Sequence, residues 1–196
     1  MCGNGARCFA RFIQRVAGAN GGTSFETGAG VIKAAFQGDR VTVTLTQPRD
    51  LRLHQKIELR SSMVEVHSLN TGVPHAVVYV ADADQAMVST IGAEIRHHHA
   101  FAPRGTNVNF VQLLEPGSIR VRTFERGVEG ETLACGTGVT ASALITARLH
   151  ELASPIRVKV QGGDLLEVGF ARDVDGFSQV TLGGPADFVF EGTISI

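Results

Sequence analysis

The sequence is short of several features that would point to particular classes of protein. It contains no tryptophan and 3 cysteines among 196 residues, and an odd, small number of cysteines argues against a disulfide framework. The formal net charge of -1 provides no basic excess for nucleic acid or for an anionic membrane surface. No apolar run approaches the length of a membrane span, and no signal peptide is recognisable. We therefore expect a cytoplasmic protein that binds neither nucleic acid nor membrane.

The chain does contain enough apolar residues to fold. Hydrophobic residues make up 43% and charged residues 19%, a balance typical of one or two folded domains rather than of disorder. Helical spacing predicts helices over 6–17 and 84–96, and an uncharged run predicts a helix buried on all sides over 138–149. Strands are predicted over 31–36, 41–45, 51–59, 63–69, 75–81, 107–114, 119–124, 156–160, 165–170, 179–182 and 187–194. Because strands and helices do not alternate regularly, we expect an α+β fold rather than a doubly wound parallel sheet.

One short pattern occurs twice. Cys-Gly-Asn-Gly at residues 2–5 precedes the first helix, and Cys-Gly-Thr-Gly at residues 135–138 precedes the buried one. A glycine-rich helix start leaves backbone N–H groups free to hold an anion, and it stabilises a nearby thiolate. Two such sites suggest two related halves with a substrate between two helix ends. Two opposed thiols suit stereochemical inversion, in which one removes a proton and the other returns one.

Other interpretations of the cysteines weaken in turn. Each motif alone could be a small buried cysteine before an ordinary helix start. Zinc would need closer Cys and His spacing, and neither motif has the frame of a dinucleotide or phosphate loop. The lysines lie outside the motifs, which argues against pyridoxal phosphate. The three histidines at 97–99 are only a compositional metal signal. We predict no cofactor and no metal, and we assign the remaining cysteine, Cys8, to the core.

The motifs resemble those of the diaminopimelate epimerase family. Residues 1–12 and 125–138 are similar to the family's two active-site segments, and residues 70–75 and 105–110 match segments between them in the right order. The resemblance covers essentially the whole chain. It implies a cofactor-independent isomerase, usually a homodimer, that interconverts LL- and meso-2,6-diaminopimelate in lysine and peptidoglycan biosynthesis.

The resemblance also implies the architecture. Family members consist of two similar α/β halves, each a barrel-like, mostly antiparallel sheet around a central helix, with the site in the cleft between them. The first half would comprise residues 1–62 and 186–196, with 187–194 as its returning strand, and the second half residues 63–185. Family members carry several strands upstream of the first motif, so the first half is expected to be incomplete here.

Site roles are carried over residue by residue. Cys2 and Cys135 match the catalytic cysteines. The residues that match substrate-binding positions are Gly3, Asn4, Asn107, Glu125, Arg126, Gly136 and Thr137. His75 matches a histidine that tunes the acidity of the thiols together with Glu125, where charge effects of this kind are expected.

Some alternatives stay open at this point. Position 73 is Val where many family members have Asn, so one polar substrate contact is expected to be lost or replaced. Glu125 and Arg126 could instead be a surface pair at a strand end. Proline and hydroxyproline racemases share the architecture and the two cysteines, although the charged pair argues for a substrate with a polar distal group. A third hypothesis is that the chain is an inactive truncated fragment.

Overall fold

The computed structural model describes residues 2–174 and 176–194. Its helices are α1 (Gly3–Ala17), α2 (Val88–Arg96) and α3 (Gly136–Leu149). Its strands are β1 (Thr23–Thr27), β2 (Gly30–Gln37), β3 (Arg40–Thr44), β4 (Arg49–Glu58), β5 (Met63–Asn70), β6 (Pro74–Tyr79), β7 (Asn107–Leu113), β8 (Ser118–Glu125), β9 (Gly130–Thr132), β10 (Ile156–Val160), β11 (Leu165–Asp173) and β12 (Gly176–Pro185). Within this part of the chain, no helix is both long and apolar enough to cross a membrane.

The strands form one hydrogen-bonded sheet. Their order is β1-β2-β3-β12-β11-β10-β8-β7-β6-β5-β4, and β9 pairs with β8 beside this path. The pairs β6–β7 and β8–β10 are parallel, whereas the other pairs are antiparallel. This arrangement confirms the predicted α+β class with a mostly antiparallel sheet.

The two motif-bearing helices differ in how fully the sheet covers them. Twelve of the fourteen residues of α3 are buried, because strands β5 to β8, β10 and β11 pack around it. Such a helix needs no polar face, which explains its lack of charge before Arg148. Helix α1 packs against β1, β2, β3 and β12 and leaves Phe9, Phe12 and Val16 about half exposed or more.

Helix boundaries follow the local sequence. The Sγ atom of Cys2 accepts a hydrogen bond from the N–H of Gly5 at 3.5 Å, so Cys2 is the N-cap of α1. Gly18 ends the helix with a φ of 65°, a left-handed conformation that favours glycine. Both α1 and α3 therefore begin a few residues earlier than apolar spacing alone predicted, directly after the cysteine of each motif.

Several predictions about the elements were wrong. The strand expected over 187–194 is not formed, because residues 186–194 pair with no strand of the sheet. It is β12 that pairs with β3 near the carboxy terminus. The helix expected from residue 84 begins at Val88, after a turn. Cys8 lies on the exposed side of α1 and not in the core.

The division into two halves stays a prediction. Strands β4 and β5 pair with each other across the proposed boundary between residues 62 and 63. Residues 1, 195 and 196 of the predicted first half lie outside the described residues.

Candidate active site

The first turns of α1 and α3 pack against each other. A Cβ atom built on Gly136 would lie 3.3 Å from the Cα of Gly3 and 3.0 Å from Cδ2 of Leu182 in β12. The side-chain amide of Asn4 also donates a hydrogen bond to the carbonyl of Ala134 at 3.0 Å. Glycine at both positions therefore allows the two helix N-termini to approach more closely than larger residues would.

A cavity of about 290 Å³ opens at this junction. It is lined by nine of the ten residues that the sequence singled out, together with Val73 and Ala134. Those nine are Cys2, Gly3, Asn4, Asn107, Glu125, Arg126, Cys135, Gly136 and Thr137. The structure thus gathers residues that are far apart in the sequence around one small space.

The two cysteines in the cavity wall differ in environment. Cys2 is exposed, whereas Cys135 is 8% exposed and is the N-cap of α3. Burial raises the pKa of the Cys135 thiol, and the nearby hydroxyl of Thr137, 3.5 Å from Sγ, opposes that rise. The carboxylate of Glu125 raises the same pKa further.

Both helix N-termini are free to receive an anion. Neither α1 nor α3 has an acidic residue in its first turn, so no acidic side chain of either first turn opposes the positive end of the dipole. The N–H of Gly5 donates to Sγ of Cys2, whereas the N–H groups that precede it at a helix start have no backbone partner within the helix. A carboxylate that enters the cavity would meet these groups from both sides.

The wall formed by β7 and β8 supplies the charged groups. Asn107 accepts a hydrogen bond from the backbone N–H of Arg126 at 2.9 Å and donates one to the carbonyl of Pro74 at 3.1 Å. Glu125 accepts a hydrogen bond from the hydroxyl of Thr132 at 2.9 Å. The amide of Asn107 thus fixes the backbone at Arg126, beside the cavity.

His75 lies behind the cavity rather than in its wall. It is completely buried, and its Nε2 atom is 3.0 Å from the hydroxyl of Thr137. Burial, aided by the positive charge of Arg126, lowers the pKa of His75 to about 3. The imidazole is therefore neutral at physiological pH. It is linked to the thiol of Cys135 by hydrogen bonds through the hydroxyl of Thr137.

Two residues of this buried region were missed by the sequence reasoning. Asn109 contacts His75 at 3.2 Å, and Thr123 donates a hydrogen bond to Asn109 at 3.0 Å. Asn109 falls within the segment 105–110 that matched the family, but alternation along a strand does not reveal which polar residue faces a buried histidine. The pairing of β6 with β7 creates this contact.

A second group of residues could reach a metal ion by distance alone. Ligand atoms of His54, Glu65 and His67 lie within 4.8 Å of one another, beside a separate cavity of about 570 Å³ near the end of α3. However, Nδ1 of His67 accepts the backbone N–H of His54 at 3.1 Å, so Nε2 keeps the proton of the neutral ring. Since a metal needs a free nitrogen lone pair, this group is better described as a hydrogen-bonded cluster.

Comparison with solved structures supports the fold. A probable proline racemase from Agrobacterium radiobacter with bound carbonate superposes with a TM-score of 0.75 at 18% identity, over 100% of this chain and 68% of that chain. A phenazine biosynthesis protein of the PhzF family from Bacillus anthracis gives a TM-score of 0.75 at 16% identity, over 100% of this chain and 76% of that chain. At these identities the similarity shows the fold alone.

Comparison of sequences identifies the family. The chain is 42% identical over 200 residues to a diaminopimelate epimerase of Chlorobaculum tepidum and 43% identical over 204 residues to one of Aquifex aeolicus. Both alignments cover 100% of this chain, with 75% of the first relative and 70% of the second. The sequence model for diaminopimelate epimerase matches residues 67–185. The chain belongs to the diaminopimelate epimerase family.

Proposed function

We propose that this chain is an isomerase that interconverts LL- and meso-2,6-diaminopimelate without a cofactor. The observation that carries the proposal is the placement of Cys2 and Cys135 in the wall of one cavity, each as the N-cap of a helix. Two thiols that line a space for a small molecule suit proton transfer to and from one carbon. The membership of the family supplies the substrate.

The proposed reaction moves one proton off the substrate and another onto it. The thiolate of one cysteine takes the α-proton and becomes a thiol, while the C–H electron pair stays on the substrate as a carbanion. The thiol of the other cysteine then gives its proton to the opposite face and becomes the thiolate. The reverse reaction exchanges the roles of Cys2 and Cys135, and no oxidant or reductant is needed.

The helix N-termini stabilise the charge that develops. The carbanion delocalises into the α-carboxylate, which gains negative charge as the proton leaves. In the proposed pose this carboxylate lies against the first turns of α1 and α3, where Gly3 and Gly136 permit close approach of backbone N–H groups. Fixed dipoles of this kind stabilise a transition state more than they stabilise the ground state.

The charged wall selects the substrate. In the proposed pose Arg126 pairs with the distal carboxylate, and Glu125 receives an ammonium group. Asn107 holds the backbone at Arg126. A racemase of proline or hydroxyproline would have no use for such partners at the distal end of its substrate. Val73 leaves one part of this wall apolar.

Three further features stay predictions. The family resemblance implies a homodimer, and the sequence led us to expect a cytoplasmic location. We also keep the division into residues 1–62 with 186–196 and residues 63–185 as a proposal. The cysteine cavity contains residues from both proposed halves, which supports a site in the cleft between them.

Solvent deuterium exchange tests the proposal. The purified chain is incubated with LL-diaminopimelate in D₂O, and α-carbon deuterium and meso isomer are followed by NMR. We expect both to form, and both to fall by about a thousandfold or more in Cys2→Ser and Cys135→Ser. Cys8→Ser is the control, because Cys8 lies on the outer side of α1. We expect L-proline and trans-4-hydroxy-L-proline to be inert.

Each opposing result is distinct. Exchange with a proline substrate instead of diaminopimelate would favour the hypothesis that the chain is a proline or hydroxyproline racemase. Absence of exchange with every substrate would support an inactive fragment. Full exchange in Cys2→Ser or Cys135→Ser would contradict the two-thiol mechanism.

A further inference from the structure

Five buried polar side chains form a hydrogen-bond relay that runs from Thr123 in β8 to the sulfur of Cys135. The hydroxyl of Thr123 is 3.0 Å from Oδ1 of Asn109, and Nδ2 of Asn109 is 3.2 Å from Nδ1 of His75. Nε2 of His75 is 3.0 Å from Oγ1 of Thr137, which is 3.5 Å from Sγ of Cys135. All five residues are less than a tenth exposed.

The direction of each hydrogen bond follows from the fixed groups at its ends. The carbonyl of Ala76 can only accept, and it lies 2.9 Å from Nδ2 of Asn109. This contact fixes the amide with its nitrogen toward β6 and its oxygen toward the hydroxyl of Thr123. The second N–H of the amide then points at Nδ1 of His75, which must accept it.

A neutral imidazole that accepts at Nδ1 carries its proton on Nε2. His75 is buried and has no acidic partner among its hydrogen bonds in the described part of the chain, so it stays neutral. Its Nε2–H therefore donates to Oγ1 of Thr137. The proton of the Thr137 hydroxyl is left free to point at Sγ of Cys135.

We infer that Asn109 is a positioning residue for this reaction. By fixing the tautomer of His75, it orients the hydroxyl of Thr137 as a hydrogen-bond donor toward Cys135. A donor at this distance favours the thiolate over the thiol, because only the thiolate gains a charge-assisted hydrogen bond. Without the amide, His75 could adopt the other tautomer, and Thr137 would then donate to His75 instead of to Cys135.

The relay also explains why the last residue of the second motif, Gly138, is a glycine. A Cβ atom on Gly138 would lie 2.3 Å from Oδ1 of Asn109 and 3.3 Å from Cε1 of His75. No larger residue fits there unless the relay moves. The hydroxyl of Thr71 also donates to the carbonyl of Thr137 at 2.9 Å, which holds the hydroxyl-bearing residue in place. Motif and relay are therefore one packed unit.

Other charged or titratable groups also act on the Cys135 thiol, so the variants compared in the test must leave these groups unchanged. Glu125 and Cys2 line the same cavity as Cys135, and the backbone N–H of Gly138 donates a hydrogen bond to the Cys135 sulfur. The positive charge of Arg126, the residue that follows β8, acts on His75. The inference rests on the proposed function for its importance in catalysis, but the relay can be measured without a substrate.

The test joins ¹⁵N NMR of the histidine rings with alkylation of Cys135. In a Cys2→Ser/Cys8→Ser background we expect His75 as the neutral Nε2–H tautomer at neutral pH. In Asn109→Leu we expect mixed tautomers and about tenfold slower alkylation of Cys135 at neutral pH, with the rate profile displaced to higher pH. Gln112→Leu is the matched control, since it removes another amide from β7, one that accepts from Ala83.

The control should leave both signals unchanged. A wild-type spectrum with the His75 proton on Nδ1, or with a cationic ring at neutral pH, would overturn the inference even if Asn109→Leu fails to fold. An unchanged alkylation profile in folded Asn109→Leu would overturn it as well. Loss of deuterium exchange in the wild-type chain, with the expected tautomer present, would contradict the proposed function and leave the relay intact.

Discussion

Gly3 and Gly136 face each other where α1 and α3 begin. The Cα of Gly3 lies 3.3 Å from the position that a Cβ on Gly136 would occupy, and Leu182 fills the space beneath both residues. This contact brings the two cysteine N-caps to one cavity. The second residue of each Cys-Gly-x-Gly motif therefore helps to place the thiol that precedes it.

Gly136→Ala tests the closeness of the two helices. The new methyl group would lie 3.0 Å from Leu182 and 3.3 Å from Asn4 Oδ1, so the helix ends must separate by a few tenths of an ångström. We expect a loss of about 1–3 kcal/mol in the free energy of unfolding, from overpacking. We also expect epimerase activity to fall at least about tenfold, because a small misplacement of the thiols is costly.

Gly5→Ala serves as the stability control for that substitution. It lies in the same helix start as Gly3, but its Cβ would make ordinary contacts of 3.7 and 3.8 Å with Cys2. Thermal and urea unfolding of both variants should separate crowding from helix propensity. Equal stability and activity in Gly136→Ala and the wild type would show that the close approach is not required.

Thr137→Val removes the hydroxyl beside Cys135. The thiol would lose the hydrogen bond that opposes the effect of burial, so the pKa of Cys135 should rise. We expect kcat to fall by about ten- to a hundredfold, and Thr137→Ser to restore most of it. Steady-state kinetics and the pH profile of Cys135 alkylation measure the two effects. An unaltered profile in Thr137→Val would exclude a role for the hydroxyl.

His75 makes stability depend on pH in a defined direction. Its pKa falls from 6.5 to about 3 on folding, so between these values the unfolded chain binds a proton that the folded chain does not. The free energy of unfolding should therefore fall as the pH drops below 6.5, by about 1.4 kcal/mol per pH unit from this residue. Above pH 6.5 the effect is absent.

His75→Gln should remove that contribution. Urea unfolding at about pH 7.5 and about pH 5.5 would show a smaller loss of stability in the variant than in the wild type. His67, whose pKa is also lowered by burial, contributes in the same direction and is present in both proteins. The same pH dependence in both proteins would mean that His75 is not buried in its neutral form.

Arg126→Met tests the assignment of the distal end of the substrate. Loss of a charged partner for a carboxylate should raise KM for diaminopimelate by about a hundredfold and lower kcat less. Arg104→Met is the comparison, because it removes a neighbouring exposed charge outside the cysteine cavity. We expect its KM to change by about twofold or less. Similar effects of the two substitutions would indicate general attraction of the substrate by positive charge.

The sequence predicted the parts of the fold that depend on local pattern. Helix α3 was predicted because a stretch from Val139 to Ala147 without charge fits only a helix surrounded by other elements. Strand β1 was missed because Phe25 is the only large apolar residue among Thr23–Thr27. The segment 187–194 alternates like a strand, yet it has no partner in the described part of the chain. Strand pairing depends on distant segments that a local pattern does not contain.

The site residues that belong to a local motif were likewise predicted, whereas those that depend on contacts between distant segments were not. Cys2 and Cys135 were found from a repeated motif and its helix-end chemistry. The indirect role of His75 was not, because the sequence does not show that Thr137 stands between the ring and the sulfur. The contact of Asn109 with His75 depends on the pairing of β6 with β7. This pairing aligns Asn109 with Val77, which lies two residues along β6 from His75.

The position of deuterium during the first turnovers in D₂O tests the two-thiol account most directly. Two opposed thiols remove the α-proton on one side and deliver a solvent-derived deuteron on the other. Beginning with LL-diaminopimelate, we predict deuterium at the inverted carbon of the meso product and almost none in the remaining LL isomer. Equal early labelling of the LL isomer and the product would show that a single base serves both faces, and would contradict the account.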